Sequence, residues 1–328
     1  MTEADHANKS SLPNGWRIGL QIVGFLIGVG MLIMLVRNAM QDDGWEEIID
    51  RASPGLLTGM LLCTLISVVA NGAIFWTTIH PVRKLGFWDL QWINITATFL
   101  NLAPVRIGIV SRVLYHMRVD RMKPLLITGW FVAIIITILV VMGSVSLATV
   151  LHPSVDGWWA TLAIIPLVLT LAFLPPLVQR QFVRRFTRGG EQMLADRRAL
   201  GGALGLRLID LLAWTGRIWL ATYLVDTGLS GGDVLLLAVA AVLVNLNPLG
   251  RTGYREIAVA WLASLLADGA PAGEDATAAL DAQFAQLALI ESGAEILVVI
   301  PLGVLTTIWW IMKMRRGPIP LVASKPTS

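Results

Sequence analysis

Apolar residues along this chain are gathered into long runs separated by short polar stretches. Six runs, 18–36, 54–79, 125–151, 160–178, 203–225 and 284–312, each come close to or exceed the roughly 20 residues that carry a helix across a bilayer. Two further apolar stretches, 90–103 and 234–246, are too short to cross alone. The first run follows a polar start (2–14). A cleaved leader has a shorter apolar core and a small-residue cleavage site, which Arg37, Asn38, Ala39 and Met40 do not offer, so an uncleaved helix is expected.

Composition agrees with the runs. The chain has 328 residues, 55% hydrophobic and 14% charged, with a mean hydropathy of +0.70. A water-soluble domain carries about 25% charged residues, so too few polar groups exist here to cover a soluble surface. Disorder, a collagen-like fibre and a disulfide scaffold are excluded, since Cys63 is the single cysteine. The four histidines (His6, His80, His116, His152) have no metal-ligand spacing. No Walker loop, dinucleotide fingerprint or nucleophile triad is present, so neither a cofactor nor ATP-driven chemistry is expected.

Charge sets the expected orientation. Asp42, Asp43, Glu46, Glu47 and Asp50 face only Arg51 in 38–53, and the segments around Asp156, Asp226 and 268–281 hold no Lys or Arg. By contrast 179–202 carries Arg180, Arg184, Arg185, Arg188, Arg197 and Arg198, and Lys313, Arg315, Arg316 and Lys325 follow the last run. Positive loops stay cytoplasmic, which puts both termini inside a plasma (inner) membrane. The expected organisation is one polytopic domain over 1–328. It comprises a tail (1–17), a first hairpin unit (54–151), a basic loop with an interfacial helix (179–202), a second hairpin unit (203–312) and a second tail (313–328). Val178, Phe182 and Phe186 recur at helical spacing among the arginines, as in an interfacial helix. The basic balance suits anionic lipids, and with no soluble basic domain nucleic acid is not an expected partner. Trp158, Trp159, Trp309 and Trp310 sit at run ends as interface anchors.

The two short stretches share a pattern. One runs through Asn101, Pro104, Arg106, Gly108 and Arg112, the other through Asn245, Asn247, Pro248, Gly250, Arg251, Gly253, Arg255 and Glu256. In each, Asn stands three residues before Pro, and Gly and Arg follow. Proline removes a backbone donor and glycine permits a tight reversal. Irregular backbone at membrane depth survives only inside protein or around a wet cavity. Both stretches therefore read as re-entrant hairpins; two full spans with proline kinks are the alternative. Three spans separate them, so the two units are oppositely oriented, and such paired interruptions point to a transporter's binding site.

These motifs resemble those of the lysylphosphatidylglycerol synthase transmembrane-region family, flippase-like integral membrane proteins. The family's first motif, Asn-x-x-Pro-Gly-Arg-x-Gly-Glu with an Arg shortly after, is matched by Asn101, Pro104, Arg106, Gly108 and Arg112. Val105 and Ile109 depart from it. The second, Pro-x-Pro-Gly-Gly-x-Gly-x-x-Glu, is matched by Pro248, Gly250, Gly253 and Glu256, with Leu249 and Arg251 departing. The resemblance covers about 54–312 and marks a divergent member without a soluble synthase domain. It implies lipid translocation or lipid handling, not aminoacyl transfer.

The expected fold is thus all-α membrane: six transmembrane helices plus two re-entrant hairpins arranged as an inverted repeat. Arg106, Arg112, Arg251 and Arg255 at the hairpin tips are candidates to clamp a lipid phosphate, together with Asn101, Pro104, Gly108, Asn247, Pro248, Gly250 and Gly253 around the breaks. Local ion pairing or snorkelling is the alternative reading of the arginines. Glu256, Asp210, Arg217, Glu291 and Glu295 form the second set, for proton coupling or buried ion pairs. Asp210 and Arg217 lie seven residues apart on one helix face, as do Glu291 and Glu295 at i, i+4. The expected partners are phosphate-bearing membrane lipids. Gly24 and Gly28 offer a close helix contact, within the chain or in a homodimer. An integral-membrane enzyme acting on a lipid head group, and a non-catalytic partner of one, are the rival readings.

Overall fold

A computed structural model describes residues 14–40, 44–102, 107–180, 191–247, 253–267 and 274–315. Among the described residues the fold is entirely helical. The helices are α1 (Asn14–Ala39), α2 (Trp45–Arg51), α3 (Pro54–Ile79), α4 (Phe87–Leu100), α5 (Ile107–Arg118) and α6 (Pro124–Leu151). They continue with α7 (Gly157–Val178), α8 (Glu191–Ala195), α9 (Arg197–Val225), α10 (Gly231–Val244), α11 (Tyr254–Leu266) and α12 (Glu274–Arg315). Six of them, α1, α3, α6, α7, α9 and α12, are long and apolar enough to cross a membrane, as the six sequence runs require. This is a multi-pass membrane protein. Most of the interfacial-helix segment, 181–190, lies outside the described residues, as do the tails at 1–13 and 316–328.

Local chemistry explains where the helices start. Ser53 caps α3 by accepting from the Leu56 N–H (3.3 Å), and Pro54 occupies the first turn. Pro124 opens α6 in the same way. Asp156 caps α7 by accepting from the N–H groups of Trp158 (2.9 Å) and Trp159 (3.0 Å). The His152 ring, hydrogen-bonded to that carboxylate at 2.9 Å, and the two N–H groups hold the Asp156 carboxyl below the usual carboxylate range. Asp196 caps α9, drawing Arg197 and Arg198 out of the basic loop and into the helix. Ser230 and Asp233 close a capping box at α10.

α3 and α9 pack along each other as the central pair. Around them α4 packs on α3 and α12, while α10 packs on α9 and α6. The short limbs α4 and α5 contain 14 and 12 residues, and α10 and α11 contain 14 and 13. At about 1.5 Å per residue, none of the four exceeds roughly 21 Å, well short of a hydrocarbon core about 30 Å thick. Each limb packs on its own partner, α4 on α5 and α10 on α11.

Glycine permits the first of these returns. A Cβ on Gly108 would run into the carbonyl oxygen of Ala97 and the Asn101 side chain, so α5 comes back against the end of α4 only with glycine there. At the second break Gly253 holds φ +83°, and its Cα lies against the backbone of Gly28. Tyr254 donates its hydroxyl to the Gly24 carbonyl oxygen (2.7 Å). The Gly24/Gly28 step is therefore taken up within the chain, where it seats the start of α11 against α1. The C-terminal end of α12 stacks Trp309 beside Trp92 and Tyr115, and Lys313 there reaches Asp89 on α4 at 3.2 Å.

Candidate functional site

Two polar centres lie inside the bundle and meet at Glu295 and Trp214. The first is a buried ion-pair network. Arg217 (α9) pairs with Glu291 and lies 3.6 Å from Glu295, both on α12. Arg255 (α11) pairs with Glu295 and reaches Glu256 (3.1 Å) and Glu291 (3.5 Å). Ser292 donates to Glu256 (2.7 Å), and the Arg217 guanidinium also donates to the Thr64 hydroxyl (3.1 Å) while lying 4.2 Å from the Trp214 ring centre. All five charged side chains are buried. The i, i+4 spacing of Glu291 and Glu295 lets both carboxylates face α9 and α11 together. Glu256 also acts locally, because its carboxylate accepts from the Gly253 N–H (2.7 Å) and so caps the first turn of α11.

The second centre is a cavity of about 240 Å³. Its walls come from α3, α4, α5, α6, α9, α10 and α12, and both helix breaks reach it through Asn101 and Gly108 on one side and Asn245 and Leu246 on the other. Ser67 on α3 and Asp210 on α9 stand at mid-length of their helices, as do Ile134 and Ile138 on α6. The cavity is thus level with the middle of the spans.

Arg112 enters it from α5. Its guanidinium donates to the Asn94 side-chain oxygen (2.6 Å) and lies 3.7 Å from the centre of the Phe75 ring. Asn94 is fixed in turn by donating to the Val68 carbonyl (3.2 Å), which ties α4 to α3. Among the described residues Arg112 has no carboxylate within ion-pair distance, and its Nε has no hydrogen-bond partner. An isolated buried cation is costly, and Arg112 is the one arginine of the described interior whose charge no described carboxylate balances. Asn101, which ends α4, also leaves its side-chain oxygen buried without a partner among the described residues.

Asp210 does not join the network with which the sequence grouped it. Its two oxygens are taken by Arg207 (2.6 Å) and by the Ser67 hydroxyl (2.6 Å), at the cavity wall. Arg217, Glu291, Glu295, Arg255 and Glu256 do come together. Arg112, Gly108, Asn101 and Asp210 meet at the cavity. Asn247 follows the end of α10, its N–H bonded to Val244. Pro104, Arg106, Pro248, Gly250 and Arg251 lie outside the described residues.

No family model, curated protein or solved structure matches this chain. The site is therefore read from its own geometry. That geometry adds Arg207 and Ser67 to the residues singled out by the sequence. Arg207 had a legible signal, since it precedes Asp210 by three residues on one helix face. Ser67 had none, because a lone Ser in an apolar run looks the same whether it bonds its own helix or a neighbour.

Proposed function

We propose that this protein is a flippase-like lipid translocase that binds the phosphate-bearing head group of an anionic phospholipid or polyprenyl phosphate in the central cavity. The observation that carries this reading is Arg112: a buried guanidinium, anchored by Asn94 and Phe75, facing a mid-length cavity with no carboxylate to balance it among the described residues. A guanidinium fork matches a phosphate's oxygens, and a phosphate supplies the missing charge. The likeness of the two break motifs to the flippase-like family supports the same class of cargo.

The two helix–break–helix segments serve here as re-entrant hairpins of an inverted repeat. The reading is supported by limbs too short to span and by the crossed packing of α4 on α12 and α10 on α6. Rocking of the unit 54–151 against 203–312 then exposes the cavity to one leaflet at a time, while the acyl tails stay in the bilayer. The positive loops orient both termini to the cytoplasm of the inner membrane.

The test is transfer of a fluorescently labelled phospholipid, or of a labelled polyprenyl phosphate, between leaflets of proteoliposomes. Wild-type protein is expected to transfer one of them, and Arg112→Gln to slow it by about tenfold or more. A charge-assisted hydrogen bond contributes about 1.5–3 kcal/mol, and 1.4 kcal/mol is a factor of ten. Wild-type protein that transfers neither lipid, or Arg112→Gln that transfers at the wild-type rate, overturns the reading. A second expectation concerns the support beneath Arg112. Asn94→Leu, which keeps the volume but removes the acceptor, should weaken transfer less than Arg112→Gln, by about three- to tenfold in the same assay.

A further inference from the structure

Among the described residues, the charged side chains that line the cavity are Arg112, Arg207, Asp210 and Glu295. Three of them are engaged within the protein. Arg207 gives one nitrogen to the Asp210 carboxylate at 2.6 Å, one turn away on α9, and both side chains are almost fully buried. The other Asp210 oxygen accepts from Ser67 on α3 at 2.6 Å, which holds the carboxylate between the two helices. Glu295 is paired with Arg255 and lies 3.6 Å from Arg217. Arg112 is left, set on Asn94 and the Phe75 ring with no described carboxylate within ion-pair distance. A head group entering the cavity therefore meets one cation without a carboxylate of its own.

We infer that Asp210 is a specificity-determining residue: by engaging Arg207 it leaves Arg112 as the single cation for the head group, so the cavity takes a singly charged phosphodiester in preference to a doubly charged phosphomonoester. This rests on the cavity being the head-group site. The two classes of lipid phosphate differ in charge. A phosphodiester carries one negative charge. A phosphomonoester carries about 1.5 to 2 at pH 7, because its second ionisation falls at about pH 6. A polyprenyl monophosphate belongs to the second, disfavoured class.

One negative charge matches Arg112. A second would lie in the same cavity of about 240 Å³ as the Asp210 and Glu295 carboxylates, whose cations Arg207 and Arg255 are already paired to them. At membrane depth water does not solvate such a charge freely, and the neighbouring carboxylates repel it. Discrimination of this kind works by stranding a charge on the wrong ligand, not by adding a contact to the right one. Arg207 is the cation that could have matched a second charge. It lines the same wall, and its Nε is buried with no partner among the described residues, so its donors are not all used. The Asp210 carboxylate is what withholds its charge.

Calorimetric titration of the detergent-purified protein at pH 8 tests this, with dihexanoyl phosphatidic acid and its methyl ester, dihexanoyl phosphatidylmethanol, as probes. The two soluble lipids differ by one methyl group and one charge. Wild-type protein is expected to bind the methyl ester about tenfold or more tighter than the acid. Asp210→Asn keeps the size of the side chain and removes the charge that engages Arg207. It should bind phosphatidic acid more tightly than wild type does and abolish or reverse the preference. Arg207→Gln combined with Asp210→Asn removes the pair as a neutral unit and should restore the preference for the methyl ester, which separates charge from shape. The wild-type ratio is decisive even if Asp210→Asn fails to fold. Wild-type protein that binds both lipids equally or favours the acid overturns this inference. So does an Asp210→Asn ratio unchanged from wild type, or a double variant that keeps the Asp210→Asn ratio. In each of these cases the head-group site stands as long as Arg112→Gln weakens binding. No binding of either lipid by wild-type protein, or binding indifferent to Arg112→Gln, overturns the head-group site and this inference with it.

Discussion

Arg255→Met is expected to destabilise the protein by about 3–5 kcal/mol, the range for removing one partner of a buried ion pair. The reason lies in what remains behind. Arg255 pairs with Glu295, reaches Glu256 at 3.1 Å and Glu291 at 3.5 Å, and donates to Ser292, all within the bundle. Methionine fills the space of the stem but leaves these carboxylates with a cation fewer in a medium that cannot solvate them. The effect should appear as a marked fall in the thermal midpoint of the detergent-purified protein. Combining Arg255→Met with Glu295→Gln should recover part of the loss, because the second change removes a charge the first has stranded. A double-mutant cycle with no coupling between the two positions contradicts the network. The comparison also separates the two polar centres: Arg112→Gln removes a charge with no ion-pair partner in the described interior, so its cost in stability should be far smaller, or reversed.

The second large effect belongs to Gly253→Ala. Two costs add there. The residue holds φ +83°, a conformation that side chains rarely adopt, worth of order 1–3 kcal/mol. The new Cβ would also collide with the Gly28 backbone, which cannot swing aside like a flexible side chain. Overpacking of this kind adds about 1–3 kcal/mol. The combined expectation is a loss of roughly 3 kcal/mol or displacement of α1 from α11. Gly143→Ala in α6 is the control, since a Cβ there meets nothing within 4 Å and alanine favours the helix. Equal thermal midpoints for Gly253→Ala and the wild type contradict the seating of α11 on α1.

Much of this was legible from residue order. All six spanning helices fall on apolar runs, because about twenty apolar residues in a row have few other stable arrangements. Start signals such as Ser53–Pro54 and Pro124 act within a turn of themselves, so they too can be read locally. Hydropathy marks the helix ends less well. α12 begins at Glu274, ten residues before the apolar run at 284, because its first turns are polar and hydropathy does not detect them. α9 starts at Arg197 rather than 203, since Asp196 caps two arginines that charge alone assigns to a loop.

The candidate site divides in the same way. Glu291 and Glu295 share a face by spacing alone, and an ionisable group in a span must find a partner or a cavity, so the sequence could nominate both groups of residues. Pairing was another matter. Asp210 lies on the same face of α9 as Arg217 and Arg207, and only the approach of α3, bringing Ser67, shows that it belongs with Arg207 at the cavity. The Gly24/Gly28 step was equally open between a contact inside the chain and one between chains until Tyr254 and Gly253 occupied it.

By itself, then, the sequence determined a multi-pass helical membrane chain with two interrupted segments and a handful of charges at membrane depth. Those properties follow from hydrophobicity, proline and glycine, which act along the chain. Only the tertiary structure decided which of the charges are balanced. Charge balance depends on which helices touch, and no residue carries that information alone. It left the interior with a closed network around Arg217 and Arg255, a neutral pair at Arg207 and Asp210, and Arg112 facing the cavity with no carboxylate beside it among the described residues.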